Sequence, residues 1–224
     1  MEKERTEVTA LSDKVAAVIA KNRVILLGVL IFAAAAVLGS VLFFSLRSGA
    51  QRKAIITLEG LEKQKADLGD LSDSSKSMEI QALREELNNF ASSSFGYAAA
   101  KAYAMTADIY AARGEWKEAE EAWAASAKAA GAIYLAPLSL YNAAAAAEER
   151  GDPEKALEYY RQCLAYEGIF PAAPRARFNI GRIQEGKGDK EAAAEAYRSV
   201  IEKSPPDSGW VKLAQSRIIY LELE

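Results

Sequence analysis

The sequence contains no histidine. That removes Ser-His and Cys-His nucleophile pairs, histidine metal sites and the side chain that most often moves protons near neutral pH. It has one cysteine, Cys163. A lone cysteine makes no internal disulfide, which leaves the compartment open. No glycine-rich phosphate loop, zinc spacing or calcium loop is present. The net charge of −3 and the scattered Lys and Arg do not suit a nucleic-acid partner. The adjacent acids Glu148 and Glu149 resemble a general acid/base pair. On a helix, however, neighbours point about 100° apart and do not converge on one substrate, so they are read as a solvated face. No catalytic residue, metal ligand or cofactor is expected, and the chain is read as a non-enzyme.

Charge is also missing from residues 24–46, a run bracketed by Arg23 and Arg47. As a helix, this run is about 34 Å long, enough to cross a hydrocarbon core of about 30 Å. A cleaved signal peptide has a shorter apolar region, of about 7–15 residues, and no cysteine lies nearby for a lipid anchor. The run is therefore read as one transmembrane helix, preceded by a tail at 1–23. Lys and Arg do not fix its direction. Lys3, Arg5, Lys14, Lys21 and Arg23 precede it, and Arg47, Arg52, Lys53, Lys63 and Lys65 follow within 20 residues. The expected arrangement has the N-terminus inside and the larger part exported across the cytoplasmic membrane. In the tail, Leu11, Val15, Val18 and Ile19 lie on one helical face, with Ser12 a plausible N-cap. In the run, the small-xxx-small pairs Ala35/Gly39 and Ala36/Ser40 would let a second copy pack closely, an oligomer through the span.

Beyond the run, the chain repeats. Gly114, Gly151 and Gly188 stand 37 residues apart, each followed by an acid: Glu115, Asp152 and Asp189. Five residues after each glycine comes Ala119, Ala156 or Ala193, and nine after it comes Trp123, Tyr160 or Tyr197. Seven before it stands Ala107, Ala144 or Gly181. Such a pattern predicts pairs of antiparallel helices. The glycine makes the turn, the small residues permit close approach, and the aromatic fills the space against the next pair. No pair buries its apolar face alone, so pairs stack. Three units are expected over 94–209, followed by a capping helix at 210–224 with Val211, Ala214, Ile218 and Leu221 on one face. An irregular hairpin is expected at 47–93, with Ala82 in phase with Ala119 and a mobile loop at 69–76. Cys163 is expected to be a small core residue.

These columns, with Pro205 closing the third unit, resemble the tetratricopeptide repeat (TPR) family. The resemblance implies an all-α solenoid of stacked hairpins that binds proteins, with the first helices lining a concave groove. The groove positions are Leu138, Tyr141 and Asn142 in the second unit and Arg175, Phe178, Asn179 and Arg182 in the third. Aromatic rings beside amides and guanidinium groups suit an extended peptide. The TPR mode that clamps a terminal carboxylate is not expected, because Ala104 and Asp108 replace its first-unit Lys and Asn.

The layout of short charged tail, one span, irregular hairpin and repeats is similar to YfgM-type ancillary subunits of the bacterial SecYEG translocon. The third unit also resembles envelope TPR proteins of outer-membrane assembly. The first resemblance implies an accessory or chaperone-like role beside translocon subunits or periplasmic chaperones. Two alternatives stay open: a scaffold subunit of a fixed envelope machine, and a cytoplasm-facing receptor.

Overall fold

The computed structural model describes residues 2–223, with side chains in the first helix described from Lys21 onward except for Leu26, Phe43, Phe44 and Leu46. The faces of Leu11, Val15, Val18 and Ile19 lie outside the described residues. Helix α1 runs Glu2–Leu68, so Ser12 is inside a helix and does not cap one. The chain divides into a first unit ending at Lys53 and a second beginning at Ala54. In the first unit, apolar side chains from Val24 to Leu42 are exposed all round the helix. Among the described residues, this helix is long and apolar enough to cross a membrane, and the described side chains of its apolar stretch are not buried.

The second unit is a succession of helices: the end of α1, then α2 (Ser77–Ser93), α3 (Gly96–Ala112), α4 (Trp116–Ala130), α5 (Leu135–Glu149), α6 (Pro153–Leu164), α7 (Ala173–Gly186), α8 (Lys190–Lys203) and α9 (Gly209–Leu223). No strand occurs among the described residues. The three turn glycines take φ of 72°, 81° and 80°, in the left-handed region where a Cβ is strained. The acid after each glycine has a local reason too. Asp152 and Asp189 are N-caps, accepting from the backbone N–H of Lys155 and Ala192 at 3.0 Å. Glu115 makes no such bond and pairs instead with Arg84 and Arg113.

The small column is fully enclosed. Ala107, Ala144, Ala119, Ala156 and Ala193 have no exposed surface. Gly181 lies so near Tyr197 that a Cβ there would come within 2.6 Å of the ring. A continuous core runs from α3 to α7 through Trp123, Tyr141, Leu157, Tyr160, Cys163 and Phe170. Burying a side chain of that size stabilises by roughly 1.5–3 kcal/mol. Cys163 is fully buried, and burial pushes its thiol up to about 12, so it is a core residue. At the far end, Val211 and Ala214 are buried, and Ile218 and Leu221 pack against the cluster around Tyr197 and Val200.

The first hairpin departs from the repeat. Its core is Leu58 and Leu61 of α1 against Ile80, Leu83, Leu87 and Ala91 of α2. Ala82 is exposed. The buried face of α2 is a stripe of large side chains at helical spacing, so the small residue in phase with Ala119 does no packing. The segment after Leu68 is closed by local bonds: Asp70 and Asp73 accept from the N–H and hydroxyl of Ser72 and Ser75, and the Lys76 ammonium donates to the Leu68 carbonyl.

Candidate peptide-binding face

Helices α5 and α7 supply every residue that the repeat phase assigns to the groove. Leu138 is exposed, Asn142 is half-buried, and Arg175 and Arg182 are exposed. Tyr141, by contrast, is only 8 % exposed. Its ring meets Tyr160 edge-on at 5.3 Å between centroids and Phe170 at 6.1 Å. Tyr141 is thus part of the array's core, and what it offers a ligand is a supported rim. The Arg175 guanidinium lies over that ring, 5.3 Å from its centroid. Phe178 is half-buried and packs against Tyr197 and Trp210 at 5.2 and 5.6 Å.

Asn179 has a structural task. Its amide nitrogen donates to the hydroxyls of both Tyr141 and Tyr160 at 3.0 Å. Tyr160 in turn donates to Glu148 at 2.7 Å, and Glu148 also holds Arg182. One unit later the arrangement recurs: Tyr197 donates to Glu185 at 2.8 Å, and Glu185 holds Arg217 of α9. Glu148 and Glu185 are 37 apart, as are Tyr160 and Tyr197. Each carboxylate therefore ties the two helices of its own hairpin and reaches an arginine on the next first helix. Burial is the main cause holding both tyrosine hydroxyls above their ordinary pKa, with the Glu148 bond adding to it at Tyr160. The first unit has Ala111 where the glutamates stand, and the Trp123 indole N–H correspondingly has no partner among the described residues.

Glu148 is therefore not part of a solvated face, as its adjacency to Glu149 suggested. The 37-residue spacing from Glu185 was the signal that would have found it. Asp108, the residue of the wrong sign for a carboxylate clamp, is held by Lys65.

Two hollows flank this face. One, of about 420 Å³, is lined by Phe178, Arg182, Glu185, Tyr197 and Arg217. The other, of about 300 Å³, lies among α6, α7 and α8 beside Arg177 and Gln184. Those two positions hold Tyr103 and Tyr110 in the first unit and Leu140 and Ala147 in the second. Arg177 pairs with Glu167, yet its Nη1 and the Gln184 Oε1 have no partner among the described residues.

Residues 141–208 match the tetratricopeptide repeat family model. A protein of Treponema pallidum (strain Nichols) described as a TPR repeat-containing protein is 42 % identical over 83 residues, which is 36 % of this chain and 35 % of that protein. The chain thus matches about a third of that relative's length. With hairpins, turn glycines and shared core in place, the second unit is an all-α, TPR-like solenoid. Tetratricopeptide repeats bind protein partners, and the repeat region is a protein-interaction module.

Proposed function

We propose that the chain is a membrane-anchored interaction module of the bacterial cell envelope, held in the cytoplasmic membrane by residues 24–46. On this reading the repeats lie outside the cytoplasm and grip polypeptide segments beside the protein translocon. The observation that carries the binding face is the Arg175–Tyr141–Asn179 arrangement. An exposed guanidinium rests on a ring whose hydroxyl is already held by an amide. A peptide carbonyl or carboxylate meets a donor that loses little freedom on binding. Leu138, exposed on the neighbouring first helix, supplies apolar contact. The bare apolar helix supports anchoring, and the relative with TPR repeats in Treponema pallidum supports a bacterial setting. Anchoring raises the local concentration, so weak and adaptable contacts suffice.

The test is photo-crosslinking in intact membranes from probes at Leu138 and at Arg175, both of which point outward. Capture of translocon subunits, periplasmic chaperones or a spread of exported chains is expected. One dominant partner at fixed ratio replaces the accessory reading with a scaffold. Cleavage of the 69–75 segment by protease acting from the cytoplasm reverses the topology and overturns the envelope assignment.

A further inference from the structure

One edge of the solenoid carries a row of exposed apolar side chains that the peptide-binding reading does not use. Successive helices alternate in direction, so the start of α3, the α4–α5 loop and the α6–α7 loop share one edge. The turn glycines Gly114, Gly151 and Gly188 lie at the other. On the first edge stand Tyr97, Ile133, Tyr134 and Ile169, with exposures of 39, 37, 58 and 46 %. Tyr97 and Tyr134 occupy the same repeat position, 37 residues apart. They lie side by side, with Lys101 and Glu62 close to Tyr97.

The course of α1 within this unit shows where the chain enters. Glu62 pairs with Lys101 at 3.4 Å and, one turn on, Lys65 pairs with Asp108. Residues 58–65 of α1 therefore run in the same direction as α3. At 1.5 Å per residue, the Glu62–Lys101 pair puts Ala54 about 5 Å before the level of Gly96, and the Lys65–Asp108 pair puts the two about level. The chain enters the solenoid at the edge that bears the tyrosines.

We infer that this edge, built on Tyr97, Ile133, Tyr134 and Ile169, rests on the headgroup layer of the bilayer in which the chain is anchored. The inference depends on the anchoring proposed above. Residues 47–53 alone separate the apolar run from Ala54, and seven residues span at most about 25 Å even when fully extended. The point where the chain enters the solenoid, at the tyrosine edge, therefore stays within about 25 Å of the end of the apolar run. Tyrosine is suited to that layer, because its ring enters the acyl boundary while its hydroxyl stays wet. Arg52 and Lys53 on the tether add attraction to anionic headgroups. Two acids near the edge are paired in place, Glu62 with Lys101 and Glu167 with Arg177 and Lys203. Lying on the membrane by this edge holds the α5–α7 face at one fixed height above the surface.

The experiment uses the full chain in vesicles of phosphatidylethanolamine and phosphatidylglycerol. An environment-sensitive fluorophore is attached at Tyr134→Cys and, for comparison, at Glu149→Cys near the opposite edge. Cys163 does not compete for the label, because its buried thiol is pushed up to about 12. The label at 134 is expected to be blue-shifted and quenched several-fold more strongly by doxyl-labelled lipid than the label at 149. Equal quenching at both positions in a chain that resists alkaline extraction overturns the edge and leaves anchoring intact. A label at 134 that is shielded from water but not quenched by lipid means a second copy covers the edge, which also overturns it. Loss of the whole chain on alkaline extraction overturns anchoring, and the edge falls with it.

Discussion

Gly181 sits against the Tyr197 ring with no room for a side chain. The consequence is specific to this glycine. Gly181→Val drives two methyl groups into a fully buried ring, and overpacking of that kind costs about 1–3 kcal/mol. Gly186, five residues on in the same helix, meets open space and does not have a positive φ. Gly186→Ala is expected to raise stability by about half a kcal/mol by restricting the unfolded chain. Urea unfolding of the two variants measures both effects, and a neutral Gly181→Val would mean that α7 and α8 are not in close contact. The asymmetry explains why the small column reads Ala, Ala, Gly. The third unit pairs its small position with an aromatic lying directly on the backbone.

At the scale of elements, single carboxylates fasten helices together. Glu120 of α4 is buried and accepts from the Tyr159 hydroxyl of α6 at 3.2 Å and from Arg150, just after α5, at 3.0 Å. Glu120→Ala leaves the buried Tyr159 hydroxyl without an acceptor, which costs about 1–3 kcal/mol. The measured loss in urea unfolding should shrink when Tyr159→Phe is added, because the stranded hydroxyl is then gone. Independent, additive losses would show that the two groups do not interact. Glu148 and Glu185 do the same for the next hairpins, and each also holds an arginine on a following first helix. This is how neighbouring units keep their register. It was legible in outline only: the 37-residue spacing marks the glutamates, but their partners lie 12 to 34 residues away and depend on how the helices stack.

For the whole molecule, tyrosine burial sets an alkaline limit. Burial holds Tyr160 and Tyr197 above their usual values and pushes Tyr159 up to about 12. In the unfolded chain the same phenols ionise near 10. The folded state therefore keeps protons that the unfolded state sheds. Their contribution is complete below about pH 10 and is lost progressively as pH rises from about 10 through 12. Melting temperature measured across that range should fall steeply, and Tyr160→Phe should flatten the fall. An unchanged slope in that variant would place the alkaline limit elsewhere. The face made by α5 and α7 should stay intact below that limit, since Tyr141 and Asn179 are locked to Tyr160.

Periodicity alone determined the helical hairpins, the turn glycines, the enclosed small column and the packed apolar face of α9. Each of these depends on contacts between residues at a fixed separation within or between adjacent helices, so a 37-residue repeat reports them. The uncharged run likewise set the length of an apolar helix, because that property needs no tertiary partner. The stack decided what the repeat cannot express. It buried Tyr141, turned Asn179 inward to two hydroxyls, left Ala82 on the surface and opened a hollow beside Arg177. Those outcomes turn on which helix lies against which and on how side-chain volumes add up between them, and packing density is fixed only when the helices meet.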